Sequence, residues 1–244
     1  MSAPPRSSDR GRWHIERFAE LDSTNRYVLD AARDGAADGL VAVADVQTAG
    51  RGRLDRTWEA SAGSSLLVSV LVRAPAAPTR VVMAAGVALV RAVADAADVA
   101  AVLKWPNDVV VGERKLAGVL AEADGEAVVV GAGCNVNWAE FPPELVATAT
   151  ACNLEAGRPV DRDALLDAYL DELARALASG DALIADYRTH LATVGRRVRV
   201  QQVRGPDLVG VAIGVTDDGA LVVRDDHDVE HTVTTADVVH LRAP

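Results

Sequence analysis

The chain has 244 residues, half of them apolar, with a formal net charge of -10: enough for one large domain, or for a catalytic domain with a small module beside it. That acidic balance argues against a nucleic-acid partner, and the opening Met1-Ser2-Ala3-Pro4-Pro5-Arg6 lacks the apolar stretch of a secretory signal. No apolar run approaches the ~20 residues of a membrane helix. The two cysteines, Cys134 and Cys152, make neither a disulfide framework nor a metal-ligand pattern, so a cytoplasmic protein without a membrane partner is expected.

Residues 1 to about 12, rich in Pro, Ser and Arg without apolar periodicity, read as a disordered tail. His14 to Leu21 predicts a strand, and Asp22-Ser23-Thr24-Asn25 offers N-caps for a helix through Arg33, closed by Gly35. Leu40 to Val46 is a buried strand that runs into Gln47 and then Gly50-Arg51-Gly52-Arg53. Ser65 to Val72 is apolar and β-branched, as in the middle of a sheet. Pro78 opens a helix to about Ala97. Val102 to Lys104 is a short strand entering the turn Trp105-Pro106-Asn107-Asp108.

A hairpin follows, with Val109-Val110-Val111 and Leu116 to Ala121 flanking Gly112-Glu113-Arg114. Ala127 to Val130 leads into Gly131-Ala132-Gly133-Cys134-Asn135, read as glycines at a strand end. Asp161 to Ala178 is the clearest helix, with Leu166, Leu170, Leu173 and Leu177 on one face, and Ala182 to His190 makes another. After Gly195 the pattern changes to short strands at 197–203, 208–215, 220–223 and 229–233. Gly205-Pro206 and Asp217-Asp218-Gly219 mark turns between them. The architecture predicted is α+β: a catalytic domain over 13–194 with a mixed sheet, then a small β-barrel over 195–244.

Two guanidinium groups on a glycine-loosened backbone, Arg51 and Arg53 with Gly52 between, can grip phosphate or carboxylate bidentately. The alternatives are a solvated turn or an RNA-binding Arg-Gly segment, and the acidic chain weakens the second. Trp58 is placed either to stack on a flat ring or to fill the core. Lys104 ends an apolar strand, which is a poor place for a purely solvated amine. Asn107 and Asp108 have a plainer reading as turn residues, and Lys115 as an edge-strand lysine. Ser23, Thr24 and Asn25 fit helix capping, which can coexist with an anion near the positive helix end. Gln47 can meet a small ligand or its own loop, and Asn135 belongs to a weak Gly-x-Gly-x-Asn pattern. The five histidines fall in no catalytic or metal pattern.

Taken together, these segments resemble the bacterial biotin protein ligases. The likeness runs through Asp22-Ser23-Thr24-Asn25, Gln47-Thr48-Ala49-Gly50-Arg51-Gly52-Arg53 and Trp58. It continues in Lys104-Trp105-Pro106-Asn107-Asp108, Lys115-Leu116-Ala117-Gly118 and Gly131-Ala132-Gly133-Cys134-Asn135. The resemblance implies a class II synthetase-like, biotin–lipoate ligase catalytic fold and an SH3-like C-terminal barrel. It implies biotin and MgATP as reactants, biotinyl-5′-adenylate as the intermediate, and the biotin carboxyl carrier domain of acyl-CoA carboxylase as acceptor.

By position, Ser23, Thr24, Asn25, Gln47, Arg51, Gly52, Arg53, Lys115 and Gly118 would meet biotin. Arg53, Trp58, Lys104, Asn107, Lys115 and Asn135 would meet the nucleotide. Lys115, Arg51, Arg53 and Asp108 would carry the chemistry, Asp108 through metal contact or by easing deprotonation of the acceptor lysine; no metal ligand is assigned. Members that also repress transcription carry an N-terminal winged helix, for which about twelve residues are too few, so no DNA binding is expected. Lipoate or octanoate ligases share the fold class but typically show an Arg-Arg-x-Ser-Gly-Gly-Gly signature, absent here.

Overall fold

A computed structural model of the protein describes residues 5–54, 56–75, 77–201 and 206–241. Eight strands form the main sheet: β1 (Arg6–Arg10), β2 (Trp13–Leu21), β3 (Leu40–Gln47), β4 (Ser65–Arg73), β5 (Val102–Lys104), β6 (Asp108–Val111), β7 (Arg114–Asp124) and β8 (Ala127–Asn135). Their order is β1-β2-β3-β4-β8-β7-β6-β5, with β2 and β3 parallel and the other neighbours antiparallel. A parallel pair needs a crossover, and α1 (Thr24–Arg33) supplies it.

Strand alternation sends Val41, Val43, Val68 and Val70 to one face, where α2 (Pro78–Ala97) packs along α4 (Arg162–Ala178) with α5 (Ala182–His190) beside them. Leu40, Ala42, Leu71 and Val129 point to the other face and pack under Val28, Leu29 and Ala32 of α1. Burial on both sides explains why β3 and β4 read as nearly continuous apolar runs. Both cysteines are fully buried, and contact with Cys152, with burial second, holds the Cys134 thiol well above its usual pKa.

A second, antiparallel sheet follows: β9 (Arg197–Gln201), β10 (Leu208–Val215), β11 (Leu221–Asp225), β12 (Glu230–Val233) and β13 (Asp237–His240), in the order β12-β11-β10-β9-β13. This is the small β module expected at the C-terminus, and among the described residues no pairing joins β12 to β13. Its core residues, Val198, Val200, Leu221 and Val223 among them, continue the cluster beneath α2 and α4.

Several expectations are corrected. Residues 6–10 are not a disordered tail but β1, paired residue for residue with β2 and tied by Arg10 to Asp171 at 2.6 and 2.8 Å. Gly131 and Gly133 lie inside β8, not beyond its end. A short helix α3 (Cys152–Ala156) and strand β13 were not expected at all. The strand predicted over 197–203 reaches Gln201; residues 202 and 203, and Gly205 of the predicted turn, lie outside the described residues. Among the described residues no helix is long and apolar enough to cross a membrane.

Candidate functional site

The α1 side of the sheet is filled at one end and hollow at the other, and the sequence of β8 explains why. Its partners pair in rows: Ser69, Gly131 and Leu120, then Leu67, Gly133 and Gly118. Where the apolar cluster gives way to Ser69, Gly131, Gly133 and Gly118, side-chain volume disappears and a cavity of about 300 Å³ opens. The glycines admit specific neighbours. A Cβ on Gly131 would overlap Asn25 Oδ1, and one on Gly133 would lie 2.5 Å from Trp58 Cε2; Gly118 meets the same indole. Trp58 therefore lies across the Gly133–Gly118 pair as a floor.

At one end of the cavity sit the first residues of α1. Ser23 caps the helix by accepting from Arg26 N at 3.5 Å, while also lining the cavity. Thr24 donates to Gln47 Oε1 from its backbone N–H at 2.7 Å, and its hydroxyl lies 3.0 Å from the same oxygen. Ser69 Oγ lies 2.7 Å from Thr24 Oγ1 and 2.6 Å from Asn25 Oδ1. The three hydroxyl contacts share two hydroxyl protons, so this network has room for a donor from a ligand. Asn25 Nδ2 donates to Glu122 Oε2 at 2.9 Å, and Glu122 in turn pairs with Arg51 at 2.7 Å.

The Arg-Gly loop folds back on itself: Gly52 N donates to Arg56 O at 2.7 Å and Trp58 N to Gly50 O at 3.1 Å. Arg53 reaches inward to Asn107 Oδ1 at 3.2 Å and to the backbone oxygen of Ala236 at 3.3 Å. Burial lowers the pKa of its guanidinium, against Asp237 and Asp108, which raise it, so Arg53 stays charged where water is scarce.

The Lys-Trp-Pro-Asn-Asp turn divides its labour. Trp105, 3% exposed, is a strut between the two sheets: its backbone N donates to Thr193 Oγ1 at 2.9 Å and its indole to Gly219 O at 2.9 Å. Asn107 locks the turn to β7 through Val119, at 2.7 Å from its side chain and 2.9 Å to its carbonyl. Lys104 and Asp108 are cross-strand partners, and the bulge between Val109 and Val110 brings Lys115 Nζ to 2.7 Å from Asp108 Oδ1 and 5.5 Å from the Trp58 ring. The Lys115 backbone is clamped as well, to Thr148 O at 2.7 Å and from Thr150 N at 2.9 Å.

Beyond Trp58 and Lys115 lies a second cavity of about 360 Å³. Trp58, Lys104, Asp108 and Lys115 line both cavities. Ser23, Thr24, Asn25, Gln47, Arg51, Gly52, Arg53, Asn107 and Gly118 line only the first of this pair; Asn135 lines only the second, its amide donating to Thr150 O at 3.0 Å. The fold thus gathers every predicted site residue around two adjoining chambers. Sequence reasoning missed Glu122, Arg56, Ser69 and Asp237. Arg56 could have been read from its place in the same basic loop; nothing near Asp237 in sequence points to the cavity.

The biotin/lipoate A/B protein ligase family matches residues 18–137, and the biotin protein ligase C-terminal domain matches residues 193–241. The chain is similar to the biotin–[acetyl-CoA-carboxylase] ligase of Mycobacterium tuberculosis, 41% identical with 93% of this chain and 89% of the relative covered. It is also similar to the bifunctional ligase/repressor BirA of Bacillus subtilis, 30% identical over 92% of this chain and 73% of the relative. Among solved structures, the Aquifex aeolicus biotin protein ligase in complex with biotin and ATP superposes with a TM-score of 0.83 at 25% identity, covering 94% of this chain and 99% of that one.

Proposed function

The chain belongs to the biotin/lipoate A/B protein ligase family, and from that premise we infer an ATP-dependent biotin ligase. It activates biotin as biotinyl-5′-adenylate and transfers the biotinyl group to a lysine of a biotin carboxyl carrier domain of acyl-CoA carboxylase. The observation that carries the site reading is the pair of chambers meeting at Trp58, Lys104, Asp108 and Lys115, as a reaction between two bound anions requires.

We assign biotin to the first chamber and the nucleotide base to the second. The ureido ring can both donate and accept, which suits the proton-short network of Thr24, Gln47, Ser69 and Asn25. In the first step a carboxylate oxygen attacks the α-phosphorus and pyrophosphate leaves with its bond electrons. Both reactants are negative, so Arg51, Arg53 and Lys115 offset their repulsion and hold them in line. Lys115, clamped by its backbone and with its amine 2.7 Å from Asp108 Oδ1, is placed for the charge that develops between the chambers.

In the second step the acceptor amine attacks the carbonyl of the mixed anhydride, AMP leaves, and the amine loses a proton. Asp108 is the carboxylate common to both chambers among the described residues, and we assign it that proton. Magnesium would enter with ATP. Among the described residues no group of three or more His, Cys, Asp or Glu could hold a metal ion, so the phosphates would supply most ligands, with Asp108, which lines both chambers, as a protein ligand. Its chemistry would be to neutralise charge on the leaving pyrophosphate.

Biotin-dependent exchange of labelled pyrophosphate into ATP, followed by addition of a carrier domain, tests the whole reading. Exchange and then biotin transfer are expected. Tight biotin binding without exchange would instead mean a sensor, and thermal stabilisation by lipoate but not biotin would mean the lipoate branch of the family. Asp108→Asn separates the roles of that carboxylate: transfer should slow far more than exchange, whereas loss of exchange would assign Asp108 to the metal.

A further inference from the structure

The C-terminal sheet lines the reaction chamber with Gln201 of β9 and with Asp237, Val238 and Val239 of β13, and Asp237, the first residue of β13, is the charged one among these four. Its two carboxylate oxygens are divided between two arginines of the Arg-Gly loop: Oδ1 lies 3.6 Å from Arg53 and Oδ2 is hydrogen-bonded to Arg56. The preceding Ala236 carbonyl accepts from both terminal nitrogens of Arg53 at 3.3 Å. Asp237 is only 17% exposed, and Arg53 18%, so screening by solvent is weak there. The two arginines are also tied by their backbones, Arg56 N donating to Arg53 O at 3.2 Å.

Such a loop has an electrostatic difficulty. Arg51, Arg53 and Arg56 all line the same cavity, and Arg56 itself disfavours the charge on Arg53. Without an anion their mutual repulsion and hydration would draw these long side chains outward. Arg51 has Glu122 at 2.7 Å. Arg53 and Arg56 share Asp237.

We propose that Asp237 is a positioning residue for the adenylation step: it staples Arg53 and Arg56 to the C-terminal sheet and so aims the Arg53 guanidinium into the chamber before substrates arrive. The proposal rests on the ligase reading and gives the C-terminal sheet a part in the chemistry without contact with the reacting atoms. The hold is a shared carboxylate rather than a bidentate pair. Arg53 is therefore left able to turn a nitrogen to a phosphate while Arg56 stays held.

The test uses the full-length protein with Asp237→Ala, the near-isosteric Asp237→Asn, and Asp226→Ala as a control. Asp226 pairs with Arg197 elsewhere in the same sheet, at 2.8 Å, and is 62% exposed. Two readouts are taken: amide exchange over residues 50–58 without ligands, and pyrophosphate exchange at saturating biotin and ATP. Asp237→Ala should deprotect the loop and lower kcat by about tenfold or more, since a misplacement of ~1 Å at the reacting centre can cost up to ~10²-fold. Asp237→Asn should fall between it and wild type, and Asp226→Ala should match wild type. Wild-type protection and wild-type kcat in Asp237→Ala would overturn the proposal while leaving the ligase reading intact. A wild-type protein without biotin-dependent exchange would overturn the ligase reading, and with it the catalytic part of the proposal. If Asp237→Ala does not fold, Asp237→Asn decides by the same two measurements.

Discussion

Among single residues, the glycines of β7 and β8 shape the chamber as much as any charged group does. Gly133→Ala would drive a methyl into the Trp58 indole at 2.5 Å, and the rigid ring has to lift off its floor. ATP binding is expected to weaken about tenfold or more while far-ultraviolet circular dichroism is unchanged; titration of an ATP analogue checks it. Gly131→Ala acts within the first chamber by displacing Asn25, and should weaken biotin rather than nucleotide. Lys115→Ala should lower adenylation by more than ~10²-fold, with biotin affinity falling less, because its amine serves charge that grows in the transition state. Near-normal pyrophosphate exchange by that variant would remove Lys115 from the mechanism.

At the scale of elements, legibility followed locality. The strands β3 and β4, the helices α2 and α4, and the turn of Trp105 to Asp108 were readable because apolar period, proline and caps act over a few neighbours. β1 was not. Arg6-Ser7-Ser8-Asp9-Arg10 has no apolar face, and it is a strand because β2 offers a free edge and Arg10 finds Asp171 and Asp167 on α4. β13 failed similarly: Asp237-Val238-Val239-His240 is four residues long, and its pairing partner β9 lies some forty residues earlier. The predicted cavity residues were legible as motifs. That Gly131 and Gly133 sit mid-strand was not, because glycine reads as punctuation unless a neighbour from afar needs the space. Arg10→Ala should accordingly speed amide exchange in β1 more than it lowers the melting temperature, the ion pairs being partly exposed.

For the molecule as a whole, the two sheets are joined by a short relay: Trp105 N–H to Thr193 Oγ1, and Thr193 Oγ1 to His240 Nε2 at 3.2 Å. His240 faces Lys104 and Arg196 as well as Glu113, whose carboxylate is 3.6 Å from Nδ1. Burial, then Lys104, lowers its pKa below 6.5, against Glu113. The unfolded chain therefore binds this proton at a higher pH than the native protein does. Stability from this group is constant above the unfolded pKa and is lost as pH falls from about 6.5 through the lowered native value. Melting temperatures recorded between pH ~7.5 and ~5 should show that loss, and His240→Asn should flatten that part of the profile.

Trp58 forms a partition between the two chambers, and its indole nitrogen is buried without a hydrogen-bond partner among the described residues. A shared partition cannot be set by one occupant without resetting it for the other. Biotin and nucleotide should consequently bind as thermodynamically linked ligands, each raising the affinity for the other by one common factor, on the order of fivefold or more. Calorimetric titration of each ligand with and without the other, using a non-hydrolysable ATP analogue, should return the same factor in both orders, and Trp58→Ala should bring it close to unity.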